Sequence, residues 1–137
     1  QDLKTKFLIF VGKAAYYISK PIRAIRTMTI QKPISTKDIA QYCSESRAIL
    51  DIAHPLQTGL TMRTIEVLFG IGRKLITTNK DIVNYTFYNE NNILIINRKN
   101  LEIPKSFFEK EFIPYSKEFV ESFFIENWVK DFFYEDK

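Results

Sequence analysis

Short apolar runs alternate along this chain with segments in which apolar residues recur at helical spacing. The apolar runs rich in β-branched residues predict buried strands, and the spaced segments predict helices. Predicted strands are Leu3–Lys13, Met28–Gln31, Ala48–Ile52, Lys74–Thr77 and Asn91–Asn97. Predicted helices are Ala14–Arg26 (weak, and broken by Pro21), one starting at Ser35 or Thr36, Met62–Phe69, Lys80–Tyr85 and Ser116–Tyr134. This alternation is typical of an α/β domain with a parallel sheet covered by helices on both faces.

The stretch from His54 to Glu66 is the connection around which the predicted strands and helices are organised. It joins the strand Ala48–Ile52 to the helix Met62–Phe69 through a loop with one glycine and several hydroxyls. A strand that enters a Gly/Thr loop and then a helix points free backbone N–H groups, and the positive end of the helix dipole, at one spot. That arrangement suits a phosphate, and Glu66 lies beyond it as an acceptor for sugar hydroxyls.

Several side chains in this region allow a plainer interpretation. Thr58 or Thr61 is also the usual kind of residue to cap a helix, and Glu66 could then be a surface acid. Arg63 fits either a diphosphate contact or a solvated helix position. His54 fits either a sugar-facing group or a loop histidine bonded to backbone. For Lys13, at the end of the first strand, a surface position is preferred over a phosphate contact.

Composition excludes several classes of protein. The 137 residues, 45% hydrophobic and 26% charged, are those of one globular domain with a real core. No apolar run approaches the roughly 20 residues of a membrane span, and no signal peptide is visible. A single cysteine, Cys43, excludes an internal disulfide and fits a reducing compartment. We expect Cys43 in the core, on the inner face of the helix that begins at Ser35 or Thr36, together with Ile39 and Tyr42.

The net charge of +4 is unevenly distributed, since the first third of the chain is basic and the last third is acidic and aromatic. Such asymmetry allows an anionic ligand or an anionic membrane face. No zinc-finger spacing and no aromatic–glycine RNA-binding motif accompany it, so no nucleic-acid partner is predicted. The single histidine and cysteine also argue against a structural metal site.

Two motifs together resemble a known family. The stretch LDIAHPLQTGLTMRTIEVL, followed by RKLITTN, resembles the donor-nucleotide half of glycosyltransferases built from two Rossmann-like domains, the GT-B architecture. Gly59 and Glu66 have the glycine-to-glutamate spacing of the family's donor loop. The stretches KFLIFVG and TIQKPISTKDIAQYCSESRAILDI resemble the strands and helix upstream of that loop. YNENNILIIN and IENWVKDFF look closest to bacterial capsule and lipopolysaccharide biosynthesis members.

The resemblance implies a fold and a set of donor contacts. The chain would be one Rossmann-like domain, residues 1–137, from a longer two-domain enzyme. Glu66 would hold the ribose of a nucleotide-diphosphate sugar. Thr58, Gly59, Leu60, Thr61 and Met62 would face the diphosphate with their backbone amides, beside Arg63, and Lys32, Pro33 and Ile34 would line the base pocket.

The sequence also departs from the family's pattern. The family often carries a glutamate directly before the glycine, and here that residue is Thr58. This substitution puts the contact to the sugar ring and the retaining outcome in doubt. The first strand–helix unit of the donor domain and the acceptor domain have no counterpart, and no catalytic residue is assigned.

The expected function is donor binding for a glycosyltransferase of surface-polysaccharide or lipopolysaccharide assembly. No cofactor or metal is expected beyond the donor substrate, and the acceptor glycan or glycolipid would be bound through the missing N-terminal domain. The expected location is the cytoplasm, with peripheral association at the inner face of the bacterial membrane as a further expectation. The alternative is a Rossmann-like domain that binds a ligand or partner without catalysis, which Thr58 favours.

Six aromatic residues crowd the predicted C-terminal helix: Phe119, Phe123, Phe124, Trp128, Phe132 and Phe133. They form a stripe wider than one sheet face would cover. In the two-domain family the last helix crosses back to the acceptor domain. We therefore expect some of these aromatic residues, above all Phe132, Phe133 and the neighbouring Tyr134, to be exposed and to favour self-association.

Overall fold

The computed structural model describes residues 9–10, 29–30, 34–54, 56, 58–99, 102–127 and 129. The chain divides into two compact units, Gln1–Ile39 and Ala40–Lys137. The first unit holds two short parallel strands, β1 (Ile9–Phe10) and β2 (Thr29–Ile30). Both lie within predicted strands. The helix predicted over residues 14–26 lies outside the described residues.

The second unit is built on a parallel sheet of three strands in the order β3-β4-β5. Its strands are β3 (Ala48–Asp51), β4 (Lys74–Thr77) and β5 (Ile93–Ile95). The predicted α/β class, the parallel pairing and the bounds of β4 are confirmed. The described strands nevertheless form two sheets instead of one continuous sheet.

Helical segments cover both faces of this sheet, as the alternating pattern predicts. On one face lies helix α2 (Met62–Ile65), which continues as a π-helical turn (Glu66–Ile71), together with a 3₁₀ helix (Lys80–Asn84). Helix α3 (Lys105–Glu109) covers the other face. The first core consists of Val67, Leu68, Leu75, Ile82, Phe87 and Ile93, and the second of Ile76, Ile96 and Phe107.

Helix α1 (Thr36–Glu45) precedes the sheet and begins where the sequence predicts. The Ser35 hydroxyl accepts a hydrogen bond from the Asp38 amide (3.1 Å) and donates one to the Asp38 carboxylate (2.7 Å). This reciprocal pair satisfies an amide of the first turn. Cys43 is buried as expected, but Ile39 and Tyr42 are 36% and 37% exposed. Cys43 is therefore the core residue of this helix, and Ile39 and Tyr42 are only partly covered.

The C-terminal segment is not the single helix that was predicted from Ser116 to Tyr134. Helix α4 (Lys117–Glu121) ends early, a turn follows at residues 122–124, and residues 125–127 and 129 are helical again. The Ser122 hydroxyl donates to the Phe119 carbonyl (2.7 Å), which competes with the helical ladder. Trp128, Phe132, Phe133 and Tyr134 lie outside the described residues.

The aromatic residues of this segment divide between core and surface. The Phe119 and Phe123 rings pack on Phe69, with centroids 5.6 and 4.6 Å away. Phe124 and Ile125 are exposed. Part of the aromatic stripe therefore belongs to the domain's own core.

No helix of the described residues has the length and apolarity that a membrane crossing needs.

A buried asparagine fastens the connection between α3 and α4 to the sheet. Asn92 is fully buried just before β5, and its amide nitrogen donates to the Ile113 carbonyl (2.7 Å). Its amide oxygen accepts from the Ile113 N–H (2.8 Å). One side chain thus satisfies both backbone groups of a residue in a segment without regular structure.

Replacing Asn92 should destabilise the domain strongly. Asn92→Ala leaves both backbone groups of Ile113 without their partner, so we expect a loss of about 2–4 kcal/mol of unfolding free energy. Urea denaturation followed by circular dichroism measures this loss. Asn91→Ala, at a half-buried neighbour, is the control and should stay within about 0.5 kcal/mol of the parent. Equal stability of the two variants would contradict the proposed role of Asn92.

Tyr115 gives the domain a pH dependence in the alkaline range. Its hydroxyl donates to the Phe87 carbonyl (3.0 Å). Burial raises the pKa of Tyr115 above its ordinary value of 10.0, and a hydrogen bond with Asn92 opposes that rise. The native state therefore holds this proton at a pH where the unfolded chain has lost it, and the unfolding free energy falls as pH rises above 10.

Tyr115→Phe should isolate this contribution. At neutral pH the variant loses the bond to the Phe87 carbonyl and the bond with Asn92, which together cost about 1–3 kcal/mol. Above pH 10 the difference between parent and variant should shrink, because only the parent is penalised by ionisation of Tyr115. The lowered pKa of Lys74 makes the unfolding free energy rise with pH over the same range. This contribution is the same in parent and variant and cancels in their difference. A difference that stays constant from neutral to alkaline pH would refute the assignment.

Candidate functional site

The carboxyl ends of the parallel strands hold the loop that the sequence singles out. The Ala53 amide donates to the Thr78 hydroxyl (3.1 Å), just beyond the end of β4. The Asn79 side-chain amide donates to the Gly59 carbonyl (2.8 Å). The ends of strands β3 and β4 therefore fix the loop at two points.

A third link joins this loop to the end of β3. The Thr61 hydroxyl donates to the Asp51 carboxylate (2.7 Å) and accepts from the Thr64 amide (3.2 Å). Thr61 is thus the N-cap of α2, the role considered for it from the sequence. Because the same hydroxyl also binds Asp51, it orients the first turn of the helix toward the edge of the sheet.

The backbone at the start of α2 presents amides that nothing in the described chain accepts from. Gly59 has φ +81°, the left-handed conformation that disfavours a side chain. The Met62 and Arg63 amides have no acceptor among the described residues, whereas the Thr64 amide is satisfied by Thr61. The predicted combination of a glycine turn and free helical amides is therefore present. Such amides, with the helix dipole behind them, favour an anion.

Glu66 lies about one turn into the helix. Its carboxylate pairs with the Arg63 guanidinium at 3.0 Å, and both side chains are substantially exposed. Glu66 also begins the π-helical turn, which ends at Gly72 in a left-handed conformation (φ 66°). Turns of this type recur at functional positions, because the wider turn changes the direction of neighbouring side chains.

The remaining residues of the predicted site are placed as follows. The His54 Nδ1 accepts from the Leu56 amide (3.2 Å), so His54 is the backbone-bonded loop histidine that the sequence left as one alternative. Thr58 is exposed, and Ile34 is half-buried before α1, in the first unit. Lys32 and Pro33 lie outside the described residues.

Three residues of this region were missed by the sequence interpretation: Asp51, Thr78 and Asn79. Each lies at, or directly after, the carboxyl end of a predicted strand, which is where ligands gather in parallel sheets. That position is a signal that could have identified them. Within the described ranges, no three histidine, cysteine or carboxylate side chains come together as a metal site would require.

The loop is exposed at Leu56, Thr58 and Met62. Two clefts of the described residues lie elsewhere and include no residue from Thr58 to Glu66. Comparisons with protein-family models, with curated proteins and with solved structures find no significant match to this chain.

The Thr61 link can be tested by stability. Thr61→Ala removes the N-cap bond and the bond to Asp51, and we expect it to lower the unfolding free energy by about 1–2 kcal/mol. Thr58→Ala, at an exposed position three residues earlier in the same loop, should change it by less than about 0.5 kcal/mol. Thermal denaturation of the two variants is the measurement. If Thr58→Ala is as costly as Thr61→Ala, the capping assignment fails.

Proposed function

We propose that this chain is a Rossmann-like donor-binding domain of a GT-B glycosyltransferase. In this proposal it binds a nucleotide-diphosphate sugar for transfer to a growing surface polysaccharide or lipopolysaccharide. The observation that carries the proposal is the pair of amides at Met62 and Arg63, which have no acceptor among the described residues. They lie next to the left-handed Gly59 and one turn before Glu66. The resemblance of the same stretch to the family's donor loop supports it.

The diphosphate would lie against the start of α2. Its negative charge matches the amides and the helix dipole, and the exposed Arg63 guanidinium is within the same turn. Glu66 follows at about 6 Å along the helix axis from Met62. Its carboxylate would accept hydrogen bonds from the ribose hydroxyls. The ion pair with Arg63 uses Oε2 of Glu66.

The chemistry of this domain would be electrostatic. Transfer breaks the bond between the anomeric carbon of the sugar and the diphosphate oxygen, and the acceptor oxygen forms the new bond to that carbon. The departing diphosphate takes up the electron pair, and preorganised amides stabilise the charge that develops. The acceptor and the base that removes its proton would come from another domain. The exposure of Leu56, Thr58 and Met62 agrees with a site that a second domain completes.

The second candidate is a domain that binds a ligand or partner without catalysis. Thr58 favours it, because the family often has a glutamate at this position. Thr58 is exposed and has no hydrogen bond to another described residue. The two candidates differ in whether a nucleotide sugar binds at all.

Calorimetric titration with UDP, GDP and their sugars tests the proposal. The parent chain should bind at least one of these nucleotides, and Glu66→Ala should weaken that binding by about 1.5–3 kcal/mol, the scale of hydrogen bonds to a charged group. Glu118→Ala, an exposed glutamate on α4, removes the same charge elsewhere and should leave the affinity unchanged.

The outcomes separate the candidates. Unchanged nucleotide affinity in Glu66→Ala would remove Glu66 from the site. If the parent binds no nucleotide at millimolar concentration, the second candidate is favoured. Circular dichroism of each variant verifies that the fold is retained, which is expected because both glutamates are exposed.

A further inference from the structure

A basic cleft lies at the amino ends of the strands, the edge of the sheet opposite to the donor loop. Its volume is about 300 Å³, and its charged lining is Arg47, Arg73, Lys74, Lys110 and Glu45. Arg47 directly precedes β3, and Lys74 is the first residue of β4. Four basic residues and one acidic residue thus line the cleft.

Backbone carbonyls hold three of these cations in place. The Arg73 guanidinium donates to the Ser44 carbonyl (2.7 Å) and to the Gly72 carbonyl (3.3 Å). Arg47 donates to the Phe108 carbonyl. Lys74 donates to the carbonyls of Phe107 and Lys110. The arrangement is therefore built by the fold and does not depend on a bound ligand.

The aromatic residues of α3 provide further support. The Arg47 guanidinium lies 5.4 Å from the centre of the Phe108 ring. The Lys74 ammonium lies 4.7 Å from the centre of the Phe107 ring. Cations over aromatic faces are attracted to the ring while their charge remains unneutralised.

Glu45 also lines the cleft, but no carboxylate in the described part of the chain forms an ion pair with any of its four basic residues. The two ion pairs there, Arg63–Glu66 and Lys117–Glu121, involve none of the four cations. Lys74 is only 6% exposed. Burial, followed by the charges of Arg47 and Lys110, lowers the pKa of Lys74. These neighbours act on each other as like charges at short range, and an anion between them would relieve that repulsion.

We propose that this cleft binds a phosphate-class anion. Carbonyls occupy one N–H direction of Arg47 and two of Arg73, so each guanidinium keeps several of its five donors for a ligand. The guanidinium fork matches two oxygens of a phosphate, and Lys74 and Lys110 add point charges. The residues differ entirely from those of the donor loop, so the inference does not rest on the proposed function.

The same chemistry has two sources, a soluble phosphate and the headgroup of an anionic lipid. Inorganic pyrophosphate represents the first. Vesicles containing phosphatidylglycerol, compared with vesicles of phosphatidylcholine alone, represent the second. Both ligands would bind to the same four side chains, so the experiment tests each of them separately.

The test uses nuclear magnetic resonance of the labelled chain titrated with pyrophosphate at low salt. Saturable shifts are expected at the amides of Arg47, Gly72 and Arg73. Lys110→Gln should weaken binding about three- to tenfold, the scale of one exposed charge contact. The Lys110 side chain is exposed, and Lys110 contacts Lys74 through its backbone carbonyl, which the substitution retains. Lys117→Gln, on an exposed α4 lysine, is the charge-matched control and should bind like the parent.

Each result decides the matter. Saturable shifts in the cleft that Lys110→Gln weakens and Lys117→Gln does not would support a soluble phosphate. If pyrophosphate gives no such shifts, but phosphatidylglycerol vesicles co-sediment with the parent and less with Lys110→Gln, the lipid headgroup is supported. Shifts confined to Gly59–Met62, or equal weakening by both variants, would overturn the proposal. So would the absence of binding in both experiments.

Discussion

The burial of strand β4 on both faces is the constraint on which the rest of the second unit depends. All four residues from Lys74 to Thr77 are buried, although the first is a lysine and the last a threonine. A central strand of this kind must satisfy its polar side chains inside the protein, because they cannot reach water freely. Lys74 does so with two carbonyls of the segment around α3. Thr77 accepts from the Asn79 amide (3.1 Å) at the other end.

The two edges of the sheet acquire their chemistry from this requirement. At the carboxyl edge, Asn79 follows β4 and reaches back to the Gly59 carbonyl, which fixes the loop that presents the free amides. At the amino edge, Lys74 donates hydrogen bonds to the carbonyls of Phe107 and Lys110, and this contact forms one wall of the basic cleft. Both surfaces are therefore consequences of how one strand is buried. In both places a side chain of the strand region bonds to the backbone of an irregular segment. These bonds replace the backbone hydrogen bonds that regular secondary structure would otherwise supply.

The sequence predicts what depends on local pattern and misses what depends on distant partners. The bounds of β4 and the glycine-containing loop between β3 and α2 follow from apolar runs and glycine positions. The burial of Lys74 does not, because its acceptors lie 33 and 36 residues further along the chain. The early end of α4 depends on a hydroxyl that competes for a backbone carbonyl, which the apolar spacing conceals. The capping role of Thr61 was foreseeable from its residue type, but its second bond to Asp51 required the fold.

The π-helical turn places a restriction on chain length. A turn of this type holds one residue more than an α-helical turn, so it shifts the phase of the side chains on one side relative to the other by about 100°. Before the turn, the Thr61 hydroxyl caps the helix and is bound to Asp51 at the sheet edge, and after the turn Gly72 and Arg73 lead into β4. Removing one residue from Glu66–Ile71 would restore a regular α-helix and rotate the capped first turn, with Arg63, relative to the strand that follows. Related sequences should therefore keep the number of residues between Thr61 and Gly72 constant, even where the residues themselves differ.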